Sequence, residues 1–190
     1  ESHRSPQRCF MILDIILNKK NFLDRKNYFK KYNNASPFPH IVIDDFLEKS
    51  FVNELHDEAR STLKNIDVSN NFTQKNKLAC NNWENFGRKS FDFISFLNSS
   101  IFTKFLEDIT DIKGLISDPL LEGGGIHSVS NQGFLKMHSD FNWHNHLKLS
   151  RRINILFYLN KNWTRNMKGE LILSSTNMKN YKSIEPIFNR

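Results

Sequence analysis

The chain has 190 residues, a formal charge of +7, 38% apolar and 25% charged residues, and seventeen Phe. This length and composition suit one domain with its own core and exclude a disordered chain. Two isolated cysteines, Cys9 and Cys80, exclude a disulfide framework and point to a reducing, cytoplasmic setting, and the early apolar run Met11 to Leu17 is interrupted by Asp14 and too short for a membrane span.

The charge is unevenly placed. Residues 1–36 carry eight Lys or Arg against three acids, and the other 154 residues hold nineteen bases and seventeen acids. An excess confined to one end, in a chain biased toward Lys, Asn and Ile, argues against nucleic acid as the partner. Residues 1–36 are read as a basic, partly helical N-terminal extension, with 1–10 unstructured, and 37–190 as the main domain. Within the extension, Phe22 to Tyr32 suits a short helix, which "NNASPFPH" ends.

"HIVIDDFL" (40–47) reads as a strand entering a turn. Leu47, Phe51, Leu55, Ala59 and Leu63 then recur at steps of four, predicting a helix from about Glu48, with His56 and Asp57 beside the stripe. Residues 65–90 are Asn-rich and aperiodic, an extended loop with short strands. A second helix is predicted from about Phe91 to Thr110, with Ile94, Leu97, Ile101, Phe105 and Ile109 on one side. After "SDPLLEGGG" everything reads as sheet: "IHSVS" and "FLKMHSD" flank "NQG" as a hairpin, "RRINILFYLN" (151–160) alternates cleanly, and "ELILSS" (170–175) is one more strand. In the alternating strand Ile153, Ile155, Phe157 and Leu159 face one way and Asn154, Leu156 and Tyr158 the other. Helices ahead of several short strands favour an α+β protein with a sandwich or small barrel.

"GFLKMHSDFNWHNH" (133–146) holds three of the seven histidines. On a strand, His138 and Asp140 project from one face, and an imidazole beside a carboxylate can be two corners of a 2-His-1-carboxylate iron site. An isolated pair is more often a hydrogen-bonded surface pair. The linked order of "HSD", "RRINILFYLNKNW", "KGELIL" and "IEPIFNR" is more specific, and it resembles the prolyl-4-hydroxylase-like 2-oxoglutarate- and Fe(II)-dependent dioxygenases over roughly residues 38–190.

The resemblance implies a double-stranded β-helix (jelly-roll) core with supporting N-terminal helices. It makes His138 and Asp140 iron ligands and Tyr158 a hydrogen-bond partner of the distal 2-oxoglutarate carboxylate, with Asn154 lining the same pocket. The cofactor set is Fe(II), 2-oxoglutarate and O2, with ascorbate as an accessory reductant. The reaction joins a C–H bond, 2-oxoglutarate and O2 to give the alcohol, succinate and CO2, and a prolyl residue of a protein or peptide is the first substrate expected, with small molecules open. Two departures stand out. Lys168 replaces the usual first glycine of Gly-Gly-Glu-Leu, and no histidine follows His146, so the third ligand, the basic 2-oxoglutarate anchor and the closing strands are absent from the sequence. The chain is therefore expected to be a C-terminally truncated domain, inactive or nearly so alone. The competing readings are a degenerate, non-catalytic jelly-roll binding module and a nucleic-acid demethylase on the same fold.

The remaining candidates carry blander expectations. His127 suits a structural hydrogen bond, while His144 and His146 are read as exposed or substrate-side. Trp83, Trp143 and Trp163 are read as packing groups, Trp143 being the one that could edge the substrate pocket. Arg151 and Arg152 could anchor a loop or bind an anion.

Overall fold

A computed structural model describes residues 15–190. Residues 1–10, Cys9 and the first part of the Met11–Leu17 run lie outside the described residues. Among the described residues the α-helices from Lys19 onward are α1 (Lys19–Leu23), α2 (Arg25–Asn33), α3 (Lys49–Leu63), α4 (Arg88–Leu97) and α5 (Ser100–Thr110). The stripe of α3 buries Phe51, Leu55, Ala59 and Leu63 as its spacing predicts, together with Val52 and His56. The predicted helix over 91–110 is two helices. Ser99 takes an extended conformation, and its Oγ accepts the Phe102 N–H at 3.3 Å, so a new N-terminus is capped in the middle of a continuous apolar stripe.

α2 packs on α5 and α3 on α4. Between them the aromatic rings interlock: Phe22 stacks on Phe105 at 4.6 Å, and Phe102 lies 5.8 Å from Phe105 and 5.2 Å from Phe96. The Arg25 guanidinium lies 5.1 Å from the Phe22 ring centre and is paired to Asp108, which closes the edge of the cluster. The described part of the basic extension thus belongs to the common core, since Ile16, Leu17, Phe22 and Tyr28 are all buried within it. No helix among the described residues is long and apolar enough to cross a membrane.

The strands form three separate two-stranded antiparallel sheets: β1 (Gln74–Cys80) with β2 (Ile126–Leu135), β3 (Trp143–His144) with β4 (Leu149–Ser150), and β5 (Leu171–Ser174) with β6 (Tyr181–Ile184). The mixture of helix and strand agrees with the α+β reading, whereas the described residues build only these short ladders where a jelly roll was expected. The "NQG" hairpin is also different. Lys75 pairs Phe134 and Lys77 pairs Val129, so both arms lie along the same partner strand and "NQG" falls in a large bulge where residues 130–133 oppose Asn76. Gln132 supplies a positive φ of 61°, and Asn76, itself at 52°, donates through Nδ2 to Asn131 O at 3.0 Å.

Two other expected strands are not formed. In 40–47, Asp45 turns the chain with φ 51°, leaving only a bridge from Leu47 to Leu17, while Ile41 and Ile43 still pack on the core. In 151–160, Phe157 and Leu159 pack on the helices as the alternation predicts, with Phe157 4.9 Å from Phe93. Ile155 and Leu156 are both exposed, and the segment's ladder-type bonds are confined to its ends. Arg151 N–H reaches Asn142 O, while Tyr158 exchanges bonds with Asn189 and Arg190, each at 2.9 Å. Alternation marks which side chains can share a face, but a strand exists only where a neighbour supplies the ladder, and among the described residues none lies along 152–157.

Asn189 stitches this end of the chain to the helices. Its side chain pairs with Leu47 in both directions, accepting the Leu47 N–H at Oδ1 and donating from Nδ2 to Leu47 O, each at 2.9 Å, in a buried position. The segment that follows the histidine cluster is thereby anchored to the helical core at Phe157, Tyr158 and Leu159.

Candidate metal centre

His138 and Asp140 lie beyond the end of β2, in an irregular segment where a strand was expected. Their side chains meet nonetheless, with His138 Nε2 3.4 Å from Asp140 Oδ1. His138 Nδ1 lies 2.7 Å from Lys136 O, and a carbonyl can only accept, so Nδ1 carries a hydrogen and Nε2 is the ring nitrogen that faces the carboxylate. A metal-binding imidazole typically has this arrangement, with one nitrogen donating to a backbone carbonyl and the other free. With metal–ligand bonds of about 2.0–2.2 Å, two adjacent ligand atoms stand about 3–3.5 Å apart, so the spacing fits two ligands of one ion.

Two further residues position Asp140. Asn154 Nδ2 donates to Asp140 Oδ2 at 2.8 Å, and Arg151 donates from Nη2 to Asn154 Oδ1 at 3.1 Å while its Nη1 lies 3.6 Å from Asp140 Oδ2. The same guanidinium lies over the Phe141 ring at 4.4 Å. Phe141 in turn rests on Gly123, where φ is 72°, a conformation that favours glycine, and where an added Cβ would come within 2.9 Å of the ring and push it aside. Arg151 is therefore a loop anchor next to the carboxylate. His138 and Asp140 are each 43% exposed, so the group is open to solvent.

Asn154 thus joins the predicted pair, but as the tether of Asp140. Tyr158 keeps a different neighbourhood. Burial pushes its phenol above the usual value, with the nearby Arg190 guanidinium pulling the other way, so the hydroxyl is a neutral donor at ordinary pH. Arg190 is itself committed, donating to both Asp44 carboxylate oxygens at 2.6 and 3.1 Å and to Glu185 O at 2.9 Å.

A second cluster involves residues the sequence reading placed elsewhere or did not single out. His144, expected to be exposed or substrate-side, is buried on β3 with 6% exposure, while His146 is exposed. The Nδ1 atoms of both approach the same oxygen, Glu122 Oε2, at 3.2 and 3.3 Å. Glu122, His144 and His146 offer ligand atoms that all lie within 4.8 Å of one another, a geometry able to hold a metal ion. His144 Nε2 is 3.2 Å from Asp118 Oδ1, and Asp118 is fixed by the Leu120 and Glu122 N–H groups at 2.9 and 2.8 Å. The available sequence signals were His-x-His at 144 and 146 and the i, i+4 acids of "DPLLE"; neither alone distinguishes a site from a turn.

The other candidates behave simply. His127 bonds Gly124 O at 2.9 Å, as a structural histidine would. Trp83 and Trp163 donate to Pro119 O and Lys168 O, each at 2.8 Å. Trp143 is 47% exposed on β3, so it does not pack into the core.

Residues 124–190 match a family model described as the 2OG-Fe(II) oxygenase superfamily. The match covers His138, Asp140, Asn154 and Tyr158, and it supports an oxygenase that uses Fe(II), 2-oxoglutarate and O2. No curated protein and no solved structure matches the chain.

Proposed function

We propose that the protein is a 2-oxoglutarate- and Fe(II)-dependent dioxygenase that hydroxylates a C–H bond, with a prolyl residue of a protein or peptide as its substrate. The observation that carries this reading is the juxtaposition of His138 Nε2 and Asp140 Oδ1, with the imidazole oriented by Lys136 O and the carboxylate held by Asn154, inside the segment that matches the oxygenase superfamily. When bound, iron and 2-oxoglutarate supply the activation of O2 that places one oxygen atom in the substrate and one in succinate.

The chain's own residues hold and orient. His138 offers its Nε2, and Asp140 offers a carboxylate oxygen that offsets the charge of the ion. Asn154 and Arg151 keep that carboxylate from rotating out of reach. The neutral Tyr158 phenol donates a hydrogen bond to a 2-oxoglutarate carboxylate.

The test is succinate formation by the full protein with Fe(II), 2-oxoglutarate and Pro-containing peptides, with mass spectrometry to find a gain of one oxygen atom. His138→Ala and Asp140→Ala are expected to abolish both products. Undiminished turnover in either variant would remove that residue from the site. Oxidation of peptides whose prolines have been replaced would discard the prolyl substrate while leaving the reaction class in place.

A further inference from the structure

We propose that Glu122, His144 and His146 form a second divalent-cation site, separate from the His138–Asp140 group, which takes a borderline cation of the Zn(II) type and clips the turn at 118–125 to the β3–β4 loop. The inference rests on these residues and not on the oxygenase reading.

Leu147 N–H donates to His144 Nδ1 at 3.1 Å, so that nitrogen bears a lone pair and the hydrogen sits on Nε2, where it donates to Asp118 Oδ1 at 3.2 Å. His144 Nδ1 therefore cannot also donate to Glu122 Oε2, although the two atoms are 3.2 Å apart. A lone pair thus faces an anionic oxygen beside a buried ring. Leu147 N–H partners the ring nitrogen and His146 Nδ1 approaches the same carboxylate oxygen, but the lone pair and the anionic oxygen still repel across 3.2 Å, and a cation between them turns that repulsion into attraction by accepting from both.

The surrounding geometry fits that role. Ligand bonds of about 2.0–2.1 Å in a tetrahedral site place neighbouring ligand atoms about 3.3–3.4 Å apart. Glu122 Oε2 lies 3.2 Å from His144 Nδ1 and 3.3 Å from His146 Nδ1. Two imidazoles and one carboxylate make a donor set for borderline cations, with water completing the shell on the open His146 side. Asp118 supplies the outer-sphere carboxylate that commonly holds a ligating imidazole by its other N–H. On loading, Leu147 N–H yields the Nδ1 lone pair to the cation. A second proton on His144 would also serve both carboxylates, but it would leave Leu147 N–H pointing at another N–H.

The experiment is Zn(II) titration of the full protein by calorimetry, repeated with Co(II) to read its visible absorption, and a thermal melt with and without Zn(II). His146→Ala is the informative variant, because that side chain is 77% exposed and its loss leaves the fold intact. The unaltered protein and His138→Ala should both bind at this site and melt higher with Zn(II). His146→Ala should lose more than about 100-fold in affinity, since it removes a direct ligand where disturbing an outer-sphere partner alone costs about 10–100-fold, and Asp118→Asn should fall in that smaller range. The proposal is overturned if no Zn(II) binds, which would leave a protonated His144 between two carboxylates. It is equally overturned if His146→Ala binds as well as the unaltered protein, or if His138→Ala abolishes all binding.

Discussion

Replacing Asn154 tests whether the Asp140 carboxylate is positioned or merely present. The Asn154 amide gives Asp140 Oδ2 a hydrogen bond of 2.8 Å and receives one from Arg151 at 3.1 Å. Asn154→Ala removes the first and leaves Arg151, 3.6 Å away, as the remaining restraint. A hydrogen bond to a charged group contributes about 1.5–3 kcal/mol, and Asp140 is 43% exposed, so water recovers part of the loss and the lower end applies. About 1.4 kcal/mol corresponds to a tenfold change in affinity, which is also the lower end for loss of an outer-sphere partner. Asn154→Leu keeps the volume without the amide and should lose the same factor, separating the hydrogen bond from packing. The assay is calorimetric titration with Fe(II) under anaerobic conditions, with Co(II) as the stable surrogate. Affinities for both variants within about twofold of the unaltered protein would refute the view that Asn154 holds the ligand.

Tyr158→Phe should raise KM for 2-oxoglutarate about tenfold with little change in folding, because it removes one hydroxyl donor from a ring that stays half-buried; an unchanged KM would detach Tyr158 from cosubstrate binding. Glu58→Ala should cost about 2–4 kcal/mol in urea denaturation, since Glu58 accepts the Lys89 and Ser90 N–H groups at 3.0 and 2.6 Å at the start of α4. Burial works against ionisation of the Glu58 carboxyl, but those backbone bonds outweigh it and its pKa is lowered. The difference between Glu58→Ala and the unaltered protein should therefore be full above the unfolded Glu value of about 4.3 and shrink as pH falls through the folded one. Asn189→Ala should cost about 2–5 kcal/mol, because it strands both the N–H and the C=O of Leu47 in a buried position.

The parts of the fold that could be read in advance are those in which one element contains its own signal. The stripe of α3 is an intrahelical property, and it appears where the spacing put it. The break at Ser99 is not legible in the sequence because the apolar rows of α4 and α5 are continuous, and one capping hydroxyl decides the matter. The strand expected at 151–160 failed for the opposite reason: its alternation is real at Phe157 and Leu159, but a ladder is a property of two segments. The contact between His138 and Asp140 was legible because the pair is local. Asn154 was recognised as a polar residue on that segment, while its bond to a carboxylate fourteen positions earlier was not readable. Glu122 stayed hidden because its partners lie more than twenty residues downstream and meet it only through the Asp118 turn.

The two groups are mechanically connected, although neither shares a ligand with the other. β3 and β4 pair Trp143 with Ser150 and His144 with Leu149, and Arg151 N–H to Asn142 O, at 2.9 Å, extends that ladder by one bond. His144 sits at one end of this short stiff piece, pinned to Asp118. Arg151 sits at the other, with its guanidinium between Phe141, Asp140 and Asn154. Removing the buried His144 ring therefore loosens the frame that presents Asp140, whereas removing His146, which lies past the paired residues, does not. His144→Ala should weaken Co(II) binding at the His138–Asp140 group and speed amide exchange at Arg151, and His146→Ala should change neither. Equal effects from both variants would mean that the ladder carries no constraint and that the two clusters are neighbours only in sequence.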